Sequence, residues 1–147
     1  MSRDQLELVQ RLAERQEKEA ASRLASAQGA LANAQSQLSQ VLSYREDYHR
    51  LAVGEGGSVI DTNQLQTARH FLSELDSIAG KQQKTVQQAE LLLDQHRVGW
   101  IESKRRLQAI QRLRKSRSKE SQRQQEKLSQ RLLDELFGIQ KAFAEAQ

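Results

Sequence analysis

The chain has 147 residues, 29% of them charged, and a formal net charge of +4. About half of it is Ala, Glu, Lys, Leu or Arg, glutamine adds 22 residues, and proline is absent, which is the composition of long helices and coiled coils rather than of a thick globular core. Cysteine is absent too, which excludes disulfide frameworks, thiolate nucleophiles and Cys-based zinc sites and suits a cytosolic protein.

The first residues, MSRDQLELVQ, mix charges from Arg3 onward and carry no apolar core of a signal peptide. No run approaches eighteen apolar residues, so a soluble cytoplasmic protein without a transmembrane segment is expected. Helix 1 is expected over about residues 4 to 52. Its apolar and small residues alternate steps of four and three through Ala20, Leu24, Ala27, Leu31, Ala34, Leu38, Val41, Arg45, Tyr48 and Ala52. This is the 3.5-residue seam of a coiled coil, interrupted only by Arg45.

A turn is expected over about residues 53 to 61, where Gly54, Gly56 and Gly57 cluster and Asp61 stands three residues before Gln64 as in a helix capping box. These glycines match neither GxGxxG nor GxxxxGK and follow no strand, so they form a turn and not a phosphate loop. Helix 2, expected over about 62 to 137, resumes the rhythm at Ala68, Leu72, Leu75, Ala79, Gln82, Val86, Ala89, Leu93, His96, Trp100, Ser103, Leu107 and Ile110. Each seam needs a partner, and a short connection makes them pair antiparallel. The fold class is therefore all-α: a single coiled-coil domain over 1–147, an antiparallel two-helix coiled-coil hairpin with a longer second helix.

One register places Tyr48 by Leu65, Val41 by Leu72, Leu38 by Leu75, Ala34 by Ala79, Ala20 by Leu93, Ala13 by Trp100 and Leu6 by Leu107, so that large residues mostly meet small ones. A shift by seven residues keeps the same rhythm. In the first register helix 1 runs out near residue 109, leaving helix 2 an unpaired overhang from about 110. There the segment from Arg114 to Lys127 has no apolar side chain, and a second apolar face follows at Leu128, Leu132, Leu133, Leu136, Phe137, Ile139 and Phe143. That face calls for another molecule.

Catalysis finds no support. His49, His70 and His96 are scattered, no HExxH spacing exists, and a helical hairpin is expected to have no concave pocket, so neither metal nor cofactor is expected. Charge is local: eleven Lys or Arg and three Glu lie between Arg97 and Lys127. Such a stretch is either a solvated helix or a surface for an acidic lumen or for nucleic-acid phosphates. Aromatics interleave it nowhere beyond Trp100, which disfavours single-strand stacking. Near the turn the apolar stripe widens. With Leu38 as heptad position a and Val41 as d, Tyr44, Phe71 and Ile78 are all g residues and emerge on one side, edged by Val41, Tyr48, Leu75 and Gln82. An exposed patch of this kind on a thin structure marks a partner site.

The segments QLSQVLSYREDYHRL (Gln37 to Leu51), FLSELDSIAGKQ (Phe71 to Gln82) and WIESKRRLQA (Trp100 to Ala109) resemble the flagellar type III export protein family FliJ, in family order. The resemblance implies a non-enzymatic, stalk-like antiparallel coiled coil that couples the export ATPase ring to the export gate. It also implies binding of export chaperones and a cytoplasmic location peripheral to the inner membrane. Helix ends would sit in the ATPase ring. The cytoplasmic domain of the gate membrane protein would be met by a face that falls here on Gln37, Val41, Tyr44, Tyr48, Phe71, Leu75, Ile78 and Gln82. Two positions depart from the family pattern: Ile78 stands where a smaller residue is common, and Gln82 where relatives have histidine. The alternatives are the related stalk of a virulence secretion system and a nucleic-acid-binding helical arm.

Overall fold

The structure, a computed structural model, describes residues 1–53 and 61–146. Two helices account for nearly all of them, α1 at Arg3–Ala52 and α2 at Thr62–Ala146. The chain is an all-α helical hairpin, and no strand occurs among the described residues. Gly54, Gly56 and Gly57 of the expected turn lie outside the described residues.

Both helices begin on a reciprocal cap. In α1 the Gln5 N–H donates to Ser2 Oγ at 3.2 Å and the Ser2 N–H to Gln5 Oε1 at 2.8 Å. In α2 the Gln64 N–H donates to Asp61 Oδ1 at 2.7 Å and the Asp61 N–H to Gln64 Oε1 at 3.4 Å, the box expected from the sequence. Each exchange satisfies donors that the first helical turn leaves without partners. The far end of α2 differs from expectation, running past 137 to Ala146. Gly138 costs a helix about 1 kcal/mol relative to alanine, but no proline or capping sequence follows it, and Ile139 to Ala146 carry the helix on.

Packing divides the chain into two units, one spanning Gln16–Ser103 and one formed by Met1–Arg15 with the chain from Lys104 onward. Within the first, Tyr48 meets Phe71, Arg45 meets Asp76, Gln37 meets Gln82 and Glu17 meets Trp100. Numbers fall on α1 as they rise on α2, so the helices are antiparallel. The same polarity holds in the second unit, where Gln10 meets Arg114 and Met1 meets Arg117.

The seam of Gln16–Ser103 is the one read from the sequence. Ala20, Ala27, Ala34, Ala68, Leu75, Val86 and Leu93 are buried. The remaining seam positions are half-buried, apart from Arg45, which is exposed. In the second unit Leu6 and Ala13 are buried. Two helices cannot enclose a side chain completely, and none of the described ones is fully enclosed.

The register differs from the first expectation. Phe71, rather than Leu65, lies against Tyr48, with ring centroids 4.6 Å apart. Gln82, rather than Ala79, reaches the Ala34 carbonyl at 3.0 Å. Trp100, expected by Ala13, donates its indole N–H to Glu17 at 2.9 Å. These contacts match the alternative displaced by about one heptad, which repeats every seam position and hence preserves the apolar pattern. The overhang moves with it. Ile110 and Arg114 are still half-buried, and the uninterrupted run of exposed side chains begins at Lys115 and continues to Ala146.

Cysteines replacing Gln37 and Gln82 in this cysteine-free chain should join within a monomer through a short bifunctional thiol reagent. Cysteines at Val41 and Leu72, neighbours only in the other register, should not. Mass spectrometry of the dilute protein distinguishes the two, and the reverse result would restore the first register.

Candidate functional site

The eight residues singled out from the sequence lie on one stretch of the hairpin inside the Gln16–Ser103 unit. α1 supplies Gln37, Val41, Tyr44 and Tyr48, and α2 supplies Phe71, Leu75, Ile78 and Gln82. Their burial follows their heptad letters. The d residue Leu75 is buried at 7% exposure, and Val41, Tyr48 and Gln82, also d, are half-buried. The g residues stand open, Tyr44 at 60%, Ile78 at 49% and Phe71 at 40% exposure, and Gln37 is exposed as well. A residue beside the seam leans on its neighbours with one edge and shows the rest to water.

Two direct contacts brace the stretch. Toward the turn the Tyr48 and Phe71 rings meet at an interplanar angle of 46°, a tilted arrangement that aromatic quadrupoles favour. Away from the turn, Gln82 Nε2 donates to the Ala34 carbonyl and, at 3.2 Å, to Gln37 Oε1. Both N–H bonds of that carboxamide are thereby used across the seam. Gln82 thus makes a polar clamp, and Gln37 is tied to it.

The other flank has a different character. Arg45, the one break in the sequence seam, forms an ion pair with Asp76. Both side chains are more than half exposed, so the pair fixes geometry more than it adds stability, which for such pairs is about 0 to 1 kcal/mol. Beside it Leu42 is 44% exposed over a shallow cleft of about 300 Å³. Sequence reasoning passed over Leu42 and Asp76 because neither holds an a, d or g position. It also stopped short of Leu92, a g residue two heptads beyond Ile78, which is 52% exposed beside a shallow groove of about 380 Å³ that also touches Ala27, Ala30 and His96. The letters that found Ile78 find Leu92 equally well.

A second exposed apolar surface lies on the far part of α2, in the other unit. Leu128, Leu132, Leu136, Ile139 and Phe143 succeed one another at steps of three or four, with Leu133 and Phe137 beside them, and all are exposed. Between Leu128 and Phe143 the charges balance, Arg131 and Lys141 against Asp134 and Glu135.

Among the described residues no three His, Cys, Asp or Glu side chains are grouped to hold a metal ion. His70 pairs with Glu74 one turn away at 3.1 Å, while His49 is exposed and His96 half-buried elsewhere. No helix of the described residues is long and apolar enough to cross a membrane. Residues 1–145 match the protein family described as Flagellar FliJ protein. No curated protein and no solved structure matches the chain.

The flank and the seam separate energetically. Tyr44→Ala should change stability by no more than about 0.5 kcal/mol, the scale of ordinary surface substitutions. Phe71→Ala should cost about 1 kcal/mol through the lost ring contact, and Leu75→Ala about 2 to 5 kcal/mol. Thermal melts followed by circular dichroism rank the three, and equal losses would place the aromatics in the core.

Proposed function

The chain belongs to the flagellar FliJ family and is a component of the flagellar export apparatus, and we propose that within it the protein is a stalk-like coupler with no chemistry of its own. The observation that carries this reading is the pairing of two exposed apolar surfaces on two unbroken helices. One is the flank of Tyr44, Phe71 and Ile78 beside a packed seam, and the other is the face from Leu128 to Phe143, on the stretch of α2 that packs against none of the other described residues.

The far face of α2 engages the export ATPase ring. Its apolar residues are spread wide enough to contact more than one neighbouring element at once, and its balanced charges suit a protein lumen better than an anionic lipid surface, which selects for Lys and Arg. The aromatic flank engages the cytoplasmic domain of the export gate membrane protein, through Gln37, Val41, Tyr44, Tyr48, Phe71, Leu75, Ile78 and Gln82. Aromatic side chains on a rigid support are the usual anchors of interfaces, because they bury much area at little cost in rotamer freedom. Continuous backbone hydrogen bonding along each helix gives the stiffness by which an event at one surface is felt at the other. On this reading the protein works in the cytoplasm at the inner membrane, and export chaperones are further partners.

Deleting residues 128 to 147 should abolish stimulation of ATP hydrolysis by the purified export ATPase while leaving the melting curve of the remainder intact. Stimulation that survives the deletion would move the ATPase contact elsewhere. Separately, the Tyr44→Ala and Phe71→Ala pair should weaken binding to the gate's cytoplasmic domain by roughly 2 kcal/mol or more, the scale of interface hot spots, as read by titration calorimetry. Unchanged affinity with a correctly folded variant would remove this flank from the gate contact.

A further inference from the structure

A cleft of about 630 Å³ lies within the unit formed by Met1–Arg15 and the chain from Lys104 onward. Arg3 and Leu6 line it from the start of α1, and Arg114, Arg117, Ser118 and Ser121 from α2, together with two glutamines. No carboxylate lines it. Neither the aromatic flank nor the far apolar face includes these residues, so the cleft shares no side chain with either surface of the proposed coupler.

Two of its arginines are held differently from the ion-paired arginines of the chain. Arg11, Arg45, Arg50, Arg97 and Arg123 each sit beside a carboxylate. Arg114 instead donates to the carboxamide oxygen of Gln10 at 2.8 Å, and Arg117 donates to the Met1 backbone carbonyl. Arg3 makes no side-chain bond to any of the described residues. Neutral acceptors thus position two guanidinium groups without cancelling their charge, and a third converges on the same space. Asp4 and Glu7 belong to the same first turns of α1 but do not line the cleft, and Glu7 is occupied by Arg11 at 3.0 Å.

Like charges brought together in a concave space raise the energy of the empty site, and an anion lowers it. Guanidinium groups present forked donors that match tetrahedral oxyanions. The serine hydroxyls add donors to the same lining, the positive end of the α1 dipole reinforces the field, and Leu6 offers an apolar wall. The volume falls within the range of small-molecule sites, about 300 to 1,000 Å³. We infer that this cleft binds a phosphate-bearing anion carrying more than one negative charge, with Arg3, Arg114 and Arg117 as its ligands.

The test uses the full-length chain. Inorganic pyrophosphate is titrated calorimetrically at constant ionic strength, with chloride as the balancing anion, and in parallel the protein is sedimented with phosphatidylcholine vesicles with and without phosphatidic acid. Pyrophosphate should bind above the chloride control, and Arg114→Gln with Arg117→Gln should weaken it by about tenfold or more, since each substitution removes a charge-assisted hydrogen bond. Arg3→Gln should weaken it as well, and because Arg3 holds nothing in place, that variant keeps the result readable if the double variant melts early. Vesicle binding that requires phosphatidic acid and is lost in the same variants, with no response to pyrophosphate, would assign the phosphate to a lipid headgroup and support the site. Absence of both responses, or equal affinity in all variants, would overturn it. So would retention on duplex DNA that is indifferent to these three substitutions, because the charge would then serve a nucleic acid along the length of α2.

Discussion

The alanines of α1 are the constraint on which the hairpin depends. Leu6, Ala13, Ala20, Ala27 and Ala34 recur at heptad spacing, and all are buried. A methyl side chain lets the partner backbone come close, toward the lower end of the usual range of about 8 to 10 Å between helix axes. Leu75, Val86 and Leu93 of α2 then fill the space that the small residues leave. The cost is a thin core. An alanine removes little apolar surface from water compared with a leucine, whose full burial contributes about 1.5 to 3 kcal/mol. Stability is therefore spread along many weak layers, and residues beside the seam, among them Phe71 on Tyr48, carry part of the packing.

The same repetition explains how the sequence can reveal the seam without revealing the register. Heptad spacing is a local property, legible wherever apolar and small residues alternate by three and four, and all the seam positions read that way are buried or half-buried except Arg45. A slide by one heptad exchanges Ala34 for Ala27 and Leu93 for Val86, so the apolar residues alone barely distinguish the two arrangements. What separates them is polar and aromatic. Gln82 must find the Ala34 carbonyl and Gln37, Trp100 must find Glu17, Arg45 must find Asp76, and Tyr48 must find Phe71. An unpartnered polar group at a seam costs more than a pair gains. These few contacts thus specify register much as a buried asparagine does in a coiled coil. Counting large against small residues ignored them, and the extent of the overhang inherited the error.

Of the candidate site, the face was legible and its internal bonding was not. Heptad letters were enough to put Tyr44, Phe71 and Ile78 on one flank and to leave them open. They could not announce that the carboxamide of Gln82 would use both donors across the seam, because that depends on which turn of α1 it faces. The arginine-lined cleft was hidden for a related reason. Arg3 and Arg117 are more than a hundred residues apart, and only the displaced register brings the start of α1 alongside Arg114 and Arg117. In sequence the basic stretch reads equally as a solvated helix or as a surface for acidic groups and phosphates, with nothing to say which of its arginines are gathered together. In the structure part of it is organised by neutral acceptors.

The two exposed apolar surfaces differ in what binding must supply. At the aromatic flank the backbone is fixed by cross-helix packing, and Phe71 is already oriented by Tyr48, so a partner finds side chains that have lost most of their freedom before it arrives. Beyond Arg117 α2 has, among the described residues, only its own backbone hydrogen bonds and short-range pairs such as Arg123 with Glu120 at 3.0 Å, and a helix without tertiary packing is marginal in water. A partner that covers Leu128 to Phe143 must therefore supply the burial that keeps the helix formed, and part of its binding energy offsets the ordering entropy of that segment. Occupancy and helical order are consequently linked at the far end of α2, whereas at the flank they are independent. On the proposed reading as a stalk, the aromatic surface is held ready at all times, whereas the far end of α2 gains part of its order from the partner it engages.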